Sequence, residues 1–334
     1  MTQNKPILSI CIPTYNRAEL LRTALISLVP QIKECGDDVE LVVSDNCSTD
    51  NTGEVVEWAK EFGSFLYHRN EENIGAARNV MHVVNLATGE FCWVLGDDDF
   101  VRVGGVKKVL QILKDHSDID YAFVNAMHIN YKQLENYPQP LSVKDLPDDL
   151  RLESNDTSEK CIDKWELLID PQISSALLGG IQLSVFRRSI WCKYSDTINI
   201  GEAFSSFDST YPHLKIFAQG LVGKKAYYIG LPQIIVVDGA REWWDLVPMI
   251  ILVRFNEMLD LYEHCGVESK IIRPCRDYVL SQSGPLLIRM LIHPNTPGRE
   301  YVSVIKFIKR FWHYKAFRKS LARGLLMNLK STFS

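Results

Sequence analysis

Two hydrophobic periods take turns along the first 126 residues. Ile7–Ile12 is a short, nearly continuous apolar run closed by Pro13, the pattern of a buried strand. From Ala18 to Ile32 the spacing becomes helical, with Leu20, Leu21, Ala24, Leu25 and Leu28 on one side. Val39–Ser44 predicts a second strand and Thr52–Phe62 a second helix, for which Ser48, Thr49 and Asp50 offer N-cap side chains. Phe65–His68 is a weaker strand, and Ala76–Thr88 a helix that stops at Gly89. Phe91–Leu95, Val103–His116 and Tyr121–Ala126 continue the series as strand, helix and strand. Regular alternation of this kind predicts parallel βαβ units in a doubly wound α/β sheet.

Beyond residue 126 the pattern weakens. Gln133–Asp163 is polar and contains Pro138, Pro140 and Pro147, which reads as a loop or linker. A Gly/Ser-rich apolar segment (174–186), an aromatic loop (203–213) and a strand-like Ile234–Val237 follow, and helical segments run from about Asp245 to the end. Pro171–Phe186, the longest uncharged stretch, is interrupted by Gly179 and Gly180. No run approaches the roughly 18 apolar residues of a membrane-spanning helix. The opening MTQNKPILSICIP lacks the basic start and apolar stretch of a secretory leader.

Composition refines this picture at two points. The 334 residues carry a net charge of −4, which gives no bulk signature of nucleic-acid binding. The charge is uneven: Arg299–Ser334 holds nine Lys/Arg and one acid, a net +8, so the preceding residues carry −12. A basic tail on an acidic body points to an anionic surface as partner. The eight cysteines form no CxxC pair and fit no zinc spacing, as expected of reduced thiols in a cytoplasmic protein.

Candidate chemistry gathers at the predicted strand ends. Pro13-Thr14-Tyr15-Asn16-Arg17 follows the first strand and Ser44–Asp50 closes the second. Asn73–Asn79 opens the third helix, and Gly96-Asp97-Asp98-Asp99 follows the fourth strand. In an open α/β sheet, ligands bind at the carboxyl ends of strands. Three adjacent carboxylates repel one another and call for a cation, and a hard Mg²⁺ or Mn²⁺ prefers oxygen ligands. Tyr15 suits packing against a base, Asp45 suits hydrogen bonds from a base or ribose, and Arg78 suits a phosphate. Taken singly, each motif also reads as a turn, a helix cap or a solvated side chain; together, in this order, they outline a nucleotide site.

Residues 7 to about 125 resemble the donor-binding half of family 2 glycosyltransferases. The motifs Pro13–Arg17, Ser44–Asp50, Asn73–Asn79 and Gly96–Asp99 stand where that family has its strand-end, acidic-loop, helix-start and metal motifs. Two departures are visible: Ser44 replaces the first acid of the loop, and Gly96 the first acid of the metal motif. The resemblance implies a GT-A fold, a doubly wound, mostly parallel sheet with a C-terminal acceptor region and helical tail. It divides the chain into a donor half (1–130), an acceptor and catalytic half (131–240) and a helical region (241–334). It implies a nucleotide-sugar donor contacted by Pro13, Thr14, Tyr15, Arg17, Asp45, Arg78, Asp97 and Asp98, with Mg²⁺ or Mn²⁺ on Asp99.

On the acceptor side, Leu178-Gly179-Gly180 through Arg188 resembles the family's Gly-rich loop, strand and basic residues. The usual Glu-Asp doublet of the catalytic base is absent. Asp208 is the nearest acid in place, while Thr210-Tyr211-Pro212-His213 resembles a narrower group, the abequosyltransferase-like enzymes of O-antigen assembly, and makes His213 a second candidate. Glu202 is a third. Inverting transfer needs such a group, because the acceptor hydroxyl loses its proton as it attacks. The narrower resemblance suggests a CDP-dideoxyhexose donor and a glycan or lipid-linked saccharide acceptor. Competing readings are a nucleotidyltransferase, disfavoured by the absence of a Gly-rich phosphate loop after the first strand, and a binding module without catalysis.

Val302–Leu329 places Ile305, Ile308, Phe311, Trp312, Phe317, Leu321 and Leu325 along an apolar side, with Lys306, Lys309, Arg310, Arg318, Lys319 and Arg323 adding charge. This predicts a basic amphipathic helix at the inner face of the plasma membrane; the alternative is a helix packed on the body with its charges solvated.

Overall fold

The computed structural model describes residues 5–138, 141–239 and 244–332; the side chains of Trp244 and of residues 329–332 are outside it. Residues 1–4 and Pro140, which entered the leader and linker readings, and the Leu329 side chain of the tail fall outside the described residues. The chain forms two compact units, residues 1–168 with 172–240, and residues 169–171 with 241–334.

The first unit is built on strands β1 (Leu8–Thr14), β2 (Val39–Asp45), β3 (Leu66–Arg69), β4 (Phe91–Val94), β5 (Phe100–Val101), β6 (Tyr121–Asn130), β7 (Arg151–Leu152), β8 (Glu159–Ile162), β9 (Ser184–Arg187) and β10 (Ala226–Asp238). They join one ten-stranded sheet of order β3-β2-β1-β4-β9-β6-β10-β5, with β7 on β6 and β8 on β10. Pairs β3–β2, β2–β1, β1–β4 and β6–β10 are parallel, and β9 runs antiparallel between β4 and β6. The near-continuous apolar runs of β1 and β4 are explained by burial on both faces: Leu8, Ile10 and Ile12 are buried on one side of β1 and Ser9 and Cys11 on the other, and Phe91 and Trp93 are buried on one side of β4 and Cys92 and Val94 on the other.

Helices α1 (Ala18–Cys35), α2 (Thr52–Lys60), α3 (Ala76–Leu86) and α4 (Gly105–Asp115) alternate with the strands at nearly the predicted positions. Leu21, Ala24, Leu25, Leu28 and Ile32 form the buried stripe of α1. The N-cap of α2 is Asn51, whose side chain makes no cap bond, and not one of the three residues expected. Asp50, one residue earlier, accepts from Thr52 N and Thr52 Oγ1, and also from Ala18 N, so one carboxylate serves two helix starts.

Three short helices, α5 (Arg188–Tyr194), α6 (Phe207–Thr210) and α7 (Pro212–Leu221), complete this unit. They rest on an aromatic core in which Phe186 stacks on Trp191 at 5.0 Å and Phe217 meets Phe186 at 5.1 Å and Tyr121 at 5.8 Å. The segment read as a linker does not behave as one. Leu134, Leu141 and Leu146 are buried against Phe100, Met127, Ile129, Ile235 and Val237, and β7 and β8 pair into the sheet. Its leucines are too sparse for a periodic signal, yet the apolar face of β6 and β10 gives each one a place.

The second unit is helical: α8 (Val247–Met249), a π turn (Ile250–Arg254), α9 (Phe255–His264), α10 (Ser269–Ile292), α11 (Val304–Phe311) and α12 (Lys315–Thr332). The tail is therefore two helices broken at Trp312–Tyr314, not one. Phe307, Phe311 and Phe317 are buried, which removes part of the predicted free apolar side, while Ile305, Trp312 and Leu325 stay exposed. Among the described residues no helix is long and apolar enough to cross a membrane.

Candidate functional site at the carboxyl edge of the sheet

β1 ends in a turn that only a small set of residues tolerates. Asn16 takes φ 52°, a left-handed conformation for which Asn is well suited. Its N–H donates to Ser48 Oγ at 2.9 Å, and its Oδ1 accepts from Thr49 N at 2.7 Å, so the loops after β1 and β2 are fastened together. The turn leaves Tyr15 40% exposed and Pro13 half-buried, and aims Thr14 and Arg17 at the end of β4.

There the acids meet their partners. Thr14 Oγ1 donates to Asp97 at 2.8 Å; Arg17 donates to Asp97 at 2.7 Å and to Asp98 at 3.1 Å. The three acids are almost fully buried. Burial raises Asp97, Arg17 opposes the shift and Asp98 adds to it, leaving its carboxyl at about 7. Arg17 keeps its charge, because the two carboxylates outweigh the cost of burial. In the sequence these three acids call for a cation alone; the structure gives much of their compensation to Arg17.

Asp99 turns the other way, accepting from Gly96 N at 3.0 Å. A Cβ on Gly96 would lie 2.5 Å from Asp98 Oδ1 and 2.9 Å from Asp99 Oδ2. Glycine at this place, where the resembling family has an acid, is what lets both carboxylates fold back over the turn. Among the described residues no three acidic, imidazole or thiol side chains are grouped to cage a metal. Mg²⁺ ordinarily keeps waters and takes one or two carboxylates together with substrate phosphates. The oxygen-rich turn around Asp99 fits a cation held in that way.

Asp45 is bound differently from what its sequence context suggests. Its oxygens accept from Ser48 N at 2.8 Å and from Tyr67 Oη at 2.7 Å, and Arg69 lies at 3.5 Å. It is buried, and it ties the loop after β2 to β3. Beside it is an amide network that sequence reasoning missed. Asn46 donates to Asn73 and accepts from Ile74 N and Asn70. Asn79 accepts from Ser44 Oγ at 2.7 Å and donates to Ser44 O at 2.9 Å. The serine that replaces an acid thus holds α3 in place. The only signal in the sequence was the recurrence of Asn near strand ends.

Arg78 is exposed and donates to Ile74 O and Ile200 O, which joins the start of α3 to the 199–206 loop. That loop carries exposed Glu202 and leads to Asp208. Asp208 Oδ2 accepts from Lys215 Nζ at 2.8 Å and from Asn199 N at 2.9 Å, with its side chain 14% exposed. His213 is placed otherwise. It is 5% exposed, burial pushes its imidazole down to about 3, and its ring bonds to the backbone of Gly179. The Gly179 loop itself is strained: buried Leu177 and Leu178 take φ 51° and 70°, at about 1–3 kcal/mol each. Antiparallel pairing of β9 with β4 brings this loop beside the acids, and Trp93 Nε1 donates to Gln182 O at 2.8 Å.

A second, half-buried cluster stands behind that loop. His128 on β6 lies 2.8 Å from Glu153 and 3.2 Å from Asp238, as ion pairs without linear hydrogen bonds. Burial lowers His128, but the two carboxylates win and its value is raised; Glu153 and Asp238 are both lowered by His128 against the effect of burial. Glu153 also accepts from Ser175 N at 2.8 Å and so anchors the strained segment. Four separate elements supply these groups, and no local motif announces them.

With this geometry in view, known proteins agree on the family. Residues 9–173 match the family model described as Glycosyl transferase family 2. The chain is similar to the abequosyltransferase RfbV of Salmonella typhimurium, 40% identical over 115 residues, 34% of each chain. It is also similar to the GalNAc(5)-diNAcBac-PP-undecaprenol beta-1,3-glucosyltransferase of Campylobacter jejuni, 34% identical over 108 residues, 32% of this chain and 34% of that one. The chain thus spans about a third of the length of these relatives. The crystal structure of S. aureus TarS 1-349 in complex with UDP-GlcNAc shares the fold, with a TM-score of 0.56 at 16% identity over 95% of this chain and 80% of that one. The fold is GT-A, an α/β sheet with a helical C-terminal region.

Proposed function

We propose that the chain is an inverting glycosyltransferase that moves a sugar from a nucleotide-sugar donor to a glycan or lipid-linked saccharide acceptor in surface polysaccharide assembly. The observation that carries this reading is the convergence of Thr14, Arg17, Asp97 and Asp98 into one buried knot beside Asp99 within a family 2 domain. In this reading Asp99 holds Mg²⁺ or Mn²⁺, and the exposed ring of Tyr15 packs on the base. Arg17, with Asp97 and Asp98, fixes the turn that presents them, and Pro13 shapes its start. A bound divalent cation offsets the charge that grows on the leaving diphosphate. Asp45 holds the loop from behind, and Arg78 stands at the rim between donor and acceptor segments.

Asp208 takes the proton of the acceptor hydroxyl, oriented by Lys215 and the Asn199 N–H. His213, buried and neutral, supports the Gly179 loop. Similarity to an abequosyltransferase makes a CDP-dideoxyhexose the first donor to test. The basic tail would hold the chain at the inner face of the plasma membrane; no nucleic acid is involved. The test is a panel of nucleotide sugars and saccharide acceptors with Mg²⁺ or Mn²⁺, read as release of nucleoside diphosphate and repeated with EDTA. Metal-dependent release with one donor–acceptor pair is expected. The reading falls if no donor is turned over and no nucleoside diphosphate binds.

A further inference from the structure

α10 and α12 cross at almost backbone contact. Gly284 N donates to Ser320 Oγ at 2.9 Å, and a Cβ on Gly284 would sit 2.1 Å from the Ser320 backbone. On the facing helix, a Cβ on Gly324 would sit 2.9 Å from Pro285. Arg323 donates to Ser281 O at 2.8 Å beside the crossing. Small residues at the pivot bring the helices together there, and the space between the earlier part of α10 and the start of α12 opens as a cavity of about 960 Å³.

The lining of this cavity is basic. Arg273, Arg276, Lys315, Lys319 and Arg323 face it, against two acids, Glu263 and Asp277. Arg276 is buried and already serves Asp260 and Asn256 O. Arg273, Lys315 and Lys319 are exposed at the mouth and make no ion pair with the described residues. A concave basic site focuses positive potential, and guanidinium and ammonium groups suit phosphate oxygens. The flanks are apolar: Trp312 is 54% exposed just before the cavity residues of α12, and Leu325, Leu326 and Met327 are 50%, 61% and 57% exposed just after them. A water-borne phosphate needs no such flanks, whereas cations between exposed Trp and Leu match a lipid–water interface.

We propose that this cavity is a binding site for the phosphate-bearing headgroup of an anionic membrane lipid, with Arg273, Lys315 and Lys319 as its contacts. The assignment deepens the reading of the tail as a membrane-facing segment by giving it a defined site, and it is independent of sugar transfer. The test uses the full chain without donor. Sedimentation with phosphatidylcholine vesicles, with and without phosphatidylglycerol, is compared for the pair Lys315→Gln/Lys319→Gln and the pair Lys306→Gln/Lys309→Gln. The second pair removes the same charge from α11, outside the cavity.

Charge alone predicts equal losses, because each Lys near an anionic surface contributes a similar amount. A defined site predicts that the cavity pair loses about tenfold more affinity for the phosphatidylglycerol vesicles than the α11 pair. It also predicts that inorganic pyrophosphate displaces the wild type at an ionic strength where chloride does not. Equal losses from both pairs would overturn the cavity and leave the tail as a diffuse basic surface. Pyrophosphate binding without vesicle binding would overturn the lipid source in favour of a free phosphate. Tighter binding of an RNA oligonucleotide than of vesicles would also overturn it.

Discussion

The two sides of the sheet's carboxyl edge are built on different plans. From Thr14 to Asp99 the motif side chains bond to one another: Arg17 reaches Asp97 and Asp98 across 80 and 81 residues, and Asn16 reaches Ser48 and Thr49. From Ser174 to His213 the singled-out residues separate. Asp208 pairs with Lys215 near the surface, while His213 is buried beneath Gly179. The first side is a preorganised frame held by polar contacts, and the second is a strained loop propped from behind. Under the proposed function, a frame of this kind would favour one donor geometry, whereas a propped loop could be reshaped for different acceptors without disturbing the frame.

The strongest test of this contrast compares Asp208→Asn with His213→Gln. Removing a general base typically costs about 10²–10⁴-fold in rate. Asp208→Asn is expected to lose transfer on that scale while the dissociation constant of the nucleoside diphosphate is unchanged. His213→Gln, which alters a strut, should lower thermal stability and raise the acceptor KM more than it lowers kcat. If His213→Gln loses kcat on that scale while Asp208→Asn keeps it, the assignment of the base is reversed; if neither loses it, Glu202 is next.

Next in size is Asp99→Ala. Loss of a group that stabilises charge on the leaving diphosphate is expected to lower kcat/KM by about 10²–10³-fold. Nucleoside diphosphate binding should lose its dependence on Mg²⁺ or Mn²⁺ in calorimetry, with the fold intact by circular dichroism. Unchanged metal dependence would remove the cation from Asp99 and leave the knot as structure alone.

Legibility in the sequence follows the same divide. β1, β2, β4 and α1 to α4 are predicted within a few residues, because burial on both faces and helical stripes leave local marks. The strand-end motifs are local too, and the structure brings Thr14, Arg17, Asp97 and Asp98 together. What was not legible depends on distant partners. Asp45 reads as a ligand contact, and nothing in its local sequence shows that Tyr67 and Arg69 also meet it. Gln133–Asp163 reads as a linker until the face of β6 and β10 receives Leu134, Leu141 and Leu146. The tail reads as one helix until Phe307, Phe311 and Phe317 turn inward.

A smaller effect is expected from the cluster that props the acceptor loop. The value of His128 is raised above its ordinary 6.5, so the stability it adds is present below about 6.5 and lost as pH rises through the raised value. Glu153 and Asp238 are lowered from 4.5 and 3.8, so their share is present above those values and lost as pH falls through the lowered ones. The cluster therefore contributes most between about pH 4.5 and 6.5. His128→Gln should cost on the order of 1–3 kcal/mol there, the scale of a buried polar group left unpaired. Denaturant melts of wild type and variant across pH check this; a difference that is flat from pH 4 to 9 would show that packing, not charge, is what the ring supplies.

The smallest effect expected is from Asp50→Ala, and it probes the frame on the other side. Asp50 accepts from Thr52 N, Thr52 Oγ1 and Ala18 N, and although burial alone would raise its carboxyl, these bonds hold it below its ordinary value. Loss of a capping side chain costs about 0.5–2 kcal/mol, and one carboxylate serving two helix starts places Asp50→Ala in the upper half of that range. The lowered carboxyl makes its contribution present above its ordinary 3.8 and lost as pH falls further, so the wild type and Asp50→Ala should converge in stability toward low pH. Donor affinity should stay within about threefold, less than 1 kcal/mol, because Asn16, Ser48 and Thr49 still fasten the two loops. If donor affinity instead falls as far as in Asp99→Ala, the frame is not preorganised by the strand-end contacts. It would then depend on the positions of α1 and α2, and the contrast between a rigid donor side and a propped acceptor side would fail.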